Sequence, residues 1–349
     1  MSQPAPMHRG KARNFSPWAS WMLKLSSTHP VDPLPEDLSD PGELDAWRAR
    51  VRMRLTALLG PPPTRVPLNV EISAPSPRSP AGGGRYDRMR CEWDADEWMS
   101  VPAELLVPVG RTEPGPAVLA IHGHGPGRAQ ICEDTPGGYA HDLATRGYLV
   151  LAPDLRCFGE RADWNPPDHY ACDTNLVHAV MAGESPLAAN LWDLARGLDV
   201  LADHPLVDPG RLGVVGFSYG ATCALFLAAL DDRVAAAVVS GYVSSVAESH
   251  RVPWNMCGSQ VLPGMLGRLE HLDVAALVAP RPLLVQTGRG DDIFPLPAAV
   301  ETVSRLRRVY ELLSPDDAGG ERLRHDVWEG GHEWHGPPAY EFLDRWLAP

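Results

Sequence analysis

The sequence predicts an α/β fold: a mostly parallel central sheet flanked by helices, with an N-terminal helical extension and antiparallel lead-in strands. Two patterns carry this. Short apolar runs at 117–121, 148–152, 212–215, 234–239 and 283–286 alternate with helical stretches. An apolar run without alternation marks a strand covered on both faces, as in a parallel sheet. Ahead of them, segments 66–73, 86–93 and 101–109 are bounded by Pro and Gly clusters and read as β-segments of an antiparallel lead-in. At 349 residues the chain suits one large unit with an extension. We divide it into an N-terminal arm and helix over 1–65 and a main α/β domain over 66–349.

The first forty residues are rich in Pro and Ser without clear periodicity, and they read as an irregular arm. A helix follows. Asp40 is its N-cap, Pro41 its first residue and Glu43 its third, and Leu44, Trp47, Val51, Leu55 and Leu58 recur at helical spacing until Gly60 and Pro61 stop it. A second helix starts at Ser185 and Pro186 and carries Leu187, Leu191, Leu194, Leu198 and Leu201 on one face. A C-terminal helix opening at Pro338 docks through Phe342, Leu343, Trp346 and Leu347. The uncharged stretch 212–230 is about long enough to cross a bilayer. Glycines on both sides of Ser218 make it a buried strand, a sharp turn and a buried helix instead.

Composition narrows the partners. Asp plus Glu number 44 against 31 Lys plus Arg, a formal net charge of -13. No basic cluster with interleaved aromatics is present, which argues against nucleic acid or an anionic membrane. The cysteines, Cys91, Cys132, Cys157, Cys172, Cys223 and Cys257, lie far apart with no CxxC pair and read as free thiols in a reducing compartment. The N-terminus has no apolar run of signal-peptide length, so a cytoplasmic location is expected.

The chemistry centres on Gly216-Phe217-Ser218-Tyr219-Gly220. A serine hydroxyl is a poor nucleophile until a base takes its proton, and it must protrude to meet a carbonyl. A sharp strand-to-helix turn makes it protrude, and the flanking glycines leave room for that turn. A bare GxSxG arises readily by chance; the apolar strand before Ser218 and the Ala-rich stretch after it supply the context. The turn opens a helix, so the Tyr219 backbone N–H can face a developing oxyanion. The second donor is expected from the loop His122-Gly123-His124-Gly125, with His124 first choice and Gly125 next. The alternating imidazoles of that loop could instead hold a metal, but no third and fourth ligand stand at suitable spacing. No metal and no cofactor are expected.

His332 is the expected base, because it follows the last strand-like segment, 323–328, and precedes the C-terminal helix. His335 is the competitor. His332-Glu333-Trp334-His335 superficially resembles a zinc motif, but HExxH needs its histidines at i and i+4 on a helix. The orienting carboxylate should lie just beyond another strand, which points to Asp291 behind 283–287, with Asp292 as the alternative. Either aspartate could instead cap the helix that follows Pro297.

These residues resemble the α/β-hydrolase superfamily, in its acetyl xylan esterase-like and dienelactone hydrolase-like branch. The resemblance is carried by His122–Gly125, by Pro153–Arg156 with Gly159–Arg161, and by the Ser218 pentapeptide. Leu262–Gly264 with Ala279–Pro282, Gly288 with Asp291, and Gly331 with His332 complete it, over roughly residues 100 to 349. It implies an α/β-hydrolase fold, Ser218, Asp291 and His332 as a triad, and His124 with Tyr219 as oxyanion donors. Dienelactone hydrolases use a cysteine where Ser218 stands, and secreted polysaccharide esterases carry an export signal. Both departures point away from dienelactone and xylan as substrates.

The expected function is cleavage of short-chain acyl or acetyl esters of a small molecule through an acyl-enzyme. The alternatives are an acyltransferase, a lactone or thioester hydrolase tailoring a small metabolite, and, more distantly, a non-catalytic binding protein on this scaffold. Residues 157–184 and 243–278 are long excursions expected to roof the pocket, bringing Trp164, Tyr170, Trp254 and Met256. Arg156, Glu160 and Arg161 are expected to form an ion-pair network. The sequence leaves the oligomeric state open.

Overall fold

A computed structural model describes residues 16–78, 86–163, 170–250, 256–316 and 320–347. Its strands are β1 (Glu71–Ile72), β2 (Ser76–Arg78), β3 (Tyr86–Asp94), β4 (Ser100–Pro108), β5 (Gly115–Ile121), β6 (Leu149–Pro153), β7 (Val207–Phe217), β8 (Val234–Ser240), β9 (Leu283–Gly288) and β10 (Leu323–Trp328). Its helices are α1 (Pro17–Ser27), α2 (Pro41–Leu59), α3 (Ala129–Cys132), α4 (Tyr139–Thr145), α5 (Ala171–Ala182), α6 (Pro186–Ala202), α7 (Tyr219–Leu230), α8 (Val246–Ser249), α9 (His271–Ala276), α10 (Leu296–Leu313) and α11 (Gly336–Leu347).

All ten strands form one sheet in the order β1-β3-β4-β6-β5-β7-β8-β9-β10, with β2 also paired to β3. From β6 through β10 every pairing is parallel. The lead-in β3 and β4 pair antiparallel, and β4 joins β6 antiparallel. Successive side chains of a strand point to opposite faces, and here both faces are covered. Ala117, Leu119 and Ile121 enter one core with Trp47 of α2, Leu194 of α6, Phe226 of α7 and Leu306 of α10. Val118 and Ala120 enter the other with Leu143 of α4 and Phe342 of α11. The continuous apolar runs are therefore strands in the middle of three layers.

The capped helices form as their sequences require. Asp40 accepts from the Gly42 N–H at 3.0 Å, and Leu44, Trp47, Val51 and Leu55 are fully buried. Arg48 donates to the carbonyls of Ala276, Leu277 and Ala279. The helix of the N-terminal extension thus shares its core with the main domain. Ser185 caps α6.

Three expectations are corrected. The arm contains a helix, α1, with Ser16 as N-cap and Pro17 at its start. Its Trp18, Trp21 and Leu23 are exposed, so no core-facing stripe announced it. The strand expected over 66–73 pairs as β1 only at Glu71 and Ile72: Asn69 takes a left-handed φ of 45°, which interrupts the extended run, although the Asp94 N–H still donates to the Leu68 carbonyl at 2.7 Å. The C-terminal helix starts at Gly336, before Pro338.

Several buried groups make the fold acid-sensitive. Burial pushes His122 down to about 4, His271 to about 3 and His325 to about 4, each below an unfolded value near 6.5. These histidines are neutral when folded at pH 5 and charged when unfolded. Burial raises Asp273 to about 7, which acts oppositely. Among these four groups, three protons taken up on unfolding against one released leave a net uptake of about two near pH 5. Stability should therefore fall by about 2–3 kcal/mol per pH unit as pH drops from about 6 toward 4. Urea midpoints measured across that window test this; a flat profile would contradict it.

Candidate active site

At the C-terminal end of β7 the chain turns sharply into α7, and Ser218 sits at the turn with φ 56° and ψ −119°. A non-glycine residue held there stores about 1–3 kcal/mol of strain. Backbone bonds hold it in place: the Ser218 N–H donates to the Ser240 carbonyl at 2.9 Å, and the Thr222 N–H donates to the Ser218 carbonyl at 3.0 Å. The flanking glycines are required by space. A Cβ at Gly216 would overlap the Gly220 carbonyl, and one at Gly220 would overlap the Ile121 carbonyl. The following helix is buried along nearly its whole length, so the turn is anchored from both sides.

His332 and Asp291 meet Ser218 from two other strand ends. His332 Nε2 lies 2.8 Å from Ser218 Oγ, and His332 Nδ1 lies 2.9 Å from Asp291 Oδ2. An ionised Asp291 can only accept, which places the proton on Nδ1 and leaves Nε2 to accept from the serine hydroxyl. The other carboxylate oxygen, Asp291 Oδ1, accepts from the Ile293 and Phe294 N–H groups, both at 2.9 Å. The Asp291 side chain is 1% exposed and that of His332 is 17% exposed. The carboxylate is therefore shielded from water while the imidazole stays reachable. Phe217 and Phe294 flank the ring, with centroids 4.8 Å and 5.7 Å away.

The loops carrying these two residues are locked backbone to backbone. The Gly290 N–H donates to the Gly330 carbonyl at 2.8 Å, and a Cβ at Gly288 would overlap the Gly331 carbonyl. Gly241, at the end of β8 with φ +66°, leaves room for the imidazole; a Cβ there would come within 3.2 Å of its Cε1. Sequence reasoning missed Gly241. Its signal is a glycine directly after a parallel strand.

The alternatives resolve differently. Asp292 is exposed, and α10 begins with Pro295 in the cap position and no side-chain cap; neither aspartate caps that helix. His335 lies elsewhere: its Nδ1 is 2.7 Å from Asp326 Oδ2, and its ring stacks on Trp328 at 4.9 Å. Of the two histidines at the C-terminal end, only His332 is brought to Ser218. Alanine at His332 is accordingly expected to lower ester turnover by about four orders of magnitude. Alanine at His335 should change it less than tenfold, and steady-state kinetics on p-nitrophenyl acetate separates the two.

The loop after β5 packs under the turn, since a Cβ at Gly123 would lie 2.9 Å from the Phe217 carbonyl and 3.4 Å from Ser218 Cβ. The close approach at Gly123 thus brings this loop against Ser218, while Tyr219 opens α7. The two histidines of this loop divide. His122 is fully buried; its Nε2 accepts from the Leu155 N–H at 3.0 Å, so Nδ1 donates to the Gly123 carbonyl at 2.7 Å. Both nitrogens are engaged in holding the loop. His124 is exposed, as is Gly125.

Arg156, Glu160 and Arg161 do form ion pairs. Arg156 holds Asp193 through two bonds, at 2.8 and 2.9 Å, and Arg161 also reaches Asp193. Glu160 pairs with Arg90 and Arg128; the hydrogen bond from Arg90 leads in holding its carboxyl below the usual range. Asp154 is the hub beneath them, accepting from the N–H groups of Arg128 and Glu160 at 2.7 and 2.9 Å. Of the residues expected to roof the pocket, Tyr170 is 67% exposed and stands edge-on to His124. Met256 packs against the core. Trp164 and Trp254 lie outside the described residues.

A mostly parallel sheet with Ser218 on a strained strand-to-helix turn, and Asp291 and His332 behind later strands in that chain order, is the architecture of an α/β-hydrolase. The chain has the α/β-hydrolase fold, and its likenesses fall on the branch whose motifs it carries. The Dienelactone hydrolase family matches residues 105–253, a span that includes Ser218 and ends before Asp291 and His332. YtaP of Bacillus subtilis (strain 168), provisionally named a hydrolase, is 27% identical over 281 residues, which cover 75% of this chain and 88% of YtaP. Among solved structures, a protein of Bacteroides fragilis NCTC 9343 provisionally described as an acetyl xylan esterase superposes with a TM-score of 0.72. It is 18% identical, over 91% of this chain and 83% of that one. A glucuronoyl esterase from Solibacter usitatus follows with a TM-score of 0.66 at 16% identity, over 91% of this chain and 96% of that one. No helix among the described residues is long and apolar enough to cross a membrane.

Proposed function

We propose that the protein is a carboxylic ester hydrolase acting on short-chain acyl esters of a small molecule through an acyl-enzyme. The observation that carries this is the continuous chain of hydrogen bonds from Asp291 through His332 to Ser218 Oγ. Ser218 Oγ attacks the ester carbonyl as its proton passes to His332 Nε2. The oxyanion faces the backbone N–H groups of Tyr219 and His124 at the positive end of α7. The tetrahedral adduct collapses, and the alcohol leaves with the proton from His332. Water then attacks the acyl-serine, giving up a proton to His332, which returns it to Ser218 Oγ as the acid departs. Asp291 orients the imidazole and stabilises its charged form.

The esterase names among the structural neighbours support the ester class. A transferase would use the same residues with an alcohol or amine as acceptor. The test is a series of p-nitrophenyl esters graded by acyl length, run with fluorophosphonate labelling of Ser218. Turnover highest on acetyl or another short chain, with labelling at Ser218, is the expected result. Failure of the probe to label Ser218 in folded protein would instead favour a non-catalytic binding role.

A further inference from the structure

His122 is engaged through both ring nitrogens, but the fold brings His124 two partners for a metal from distant segments. His124 Nε2 lies 3.6 Å from Cys172 Sγ. With Cys257 Sγ these donor atoms all lie within 4.8 Å of one another. Bonds of about 2.0–2.3 Å at tetrahedral angles separate three ligands of one zinc ion by about 3.5–3.8 Å. Small side-chain rotations therefore close the set on an ion.

The ligands are held together independently of any ion. Cys172 lies in the first turn of α5, and Cys257 directly precedes the 3-10 turn Gly258–Gln260. The Gly258 N–H donates to Asp173 Oδ1 at 2.7 Å. A Cβ at Gly258 would lie 2.5 Å from the Cys172 carbonyl oxygen, so only glycine lets the two excursions approach this closely. Cys172 is buried, Cys257 half-buried and His124 exposed, which leaves one side open to an arriving ion.

We propose that His124, Cys172 and Cys257 form a three-ligand site for a thiophilic divalent cation, zinc by its donor set, with a fourth position left to water or a small ligand. Two thiolates and one imidazole suit zinc and disfavour magnesium or calcium, which take oxygen ligands. Two thiolates also neutralise the ion's charge, and both thiols release their protons as it binds. The ion ties the loop of His124 to both roof segments. Because that loop lies beside Ser218, zinc should slow ester turnover; this consequence rests on the esterase reading, whereas zinc binding does not.

The test uses reduced, metal-free protein titrated with Co²⁺. One equivalent should give thiolate-to-cobalt charge-transfer absorption in the near ultraviolet, which zinc then displaces. The double variant Cys172→Ser/Cys257→Ser should lose the band entirely. A native protein without the band, or a double variant that keeps it, overturns the site. A second measurement needs no variant: zinc should protect Cys172 and Cys257 from iodoacetamide, as read by peptide mass spectrometry. Equal alkylation with and without zinc overturns the proposal. Turnover of p-nitrophenyl acetate on the same samples should fall with zinc and recover with chelator. Cobalt binding by a protein that shows no ester turnover when metal-free would overturn the esterase reading and leave the site standing; metal-free turnover without cobalt binding would do the reverse.

Discussion

Replacing Ser218 with alanine should lower ester turnover by about four to six orders of magnitude while leaving the fold intact. The hydroxyl lies 2.8 Å from His332 Nε2, and no other side-chain oxygen is hydrogen-bonded to that nitrogen among the described residues. Removing it also removes the atom that would carry the acyl group, so what remains is the far weaker catalysis of an oriented water and the oxyanion donors. The substitution should be gentle on stability, because alanine can occupy the turn and Ser218 is only half-buried. Turnover of p-nitrophenyl acetate by purified variant, alongside a urea unfolding curve, checks both halves. A folded variant that keeps more than about a hundredth of native activity would exclude Ser218 as the nucleophile.

The second large effect concerns packing. Alanine at Gly220 should cost about 3–5 kcal/mol or prevent folding. The added Cβ would overlap the Ile121 carbonyl oxygen and lie 2.7 Å from that of His122. Both are backbone atoms at the end of β5, in the middle of the sheet, so no flexible side chain can give way. Gly183 provides the contrast: it closes α5 with φ +77° and has nothing within 4 Å of an added Cβ. Alanine there meets only the left-handed backbone penalty, about 1–2 kcal/mol. Urea midpoints of the two variants separate crowding from backbone strain. Equal losses at the two sites would refute the packing account of the pentapeptide.

The parts legible in the sequence are those whose signal is local. The parallel strands were visible because a strand covered on both faces has no polar face to interrupt it, as in Ala117–Ile121. Asp40 and Ser185 announced α2 and α6 through cap and stripe together. Where a helix buries no stripe the signal fails, as for α1 with its exposed Trp18 and Trp21. The edge segment before β3 failed for another reason: apolar residues at 66–73 satisfied the pattern, yet one left-handed residue, Asn69, interrupts the extended run.

Residue order alone determined the α/β class, the strand-turn-helix around Ser218, and the succession of Ser218, Asp291 and His332 behind three strands. It left His335 and Asp292 as competitors, since each stands within three residues of the favoured one. Only the folded chain decided between them, because the choice depends on which side chain the locked Gly288–Gly290 and Gly330–Gly331 backbones aim at the end of β7. The same holds for the thiols of Cys172 and Cys257 beside His124. Hydrophobic period and capping act over a few residues and are written along the chain, whereas hydrogen-bond reach and close approach are set by where separate segments cross.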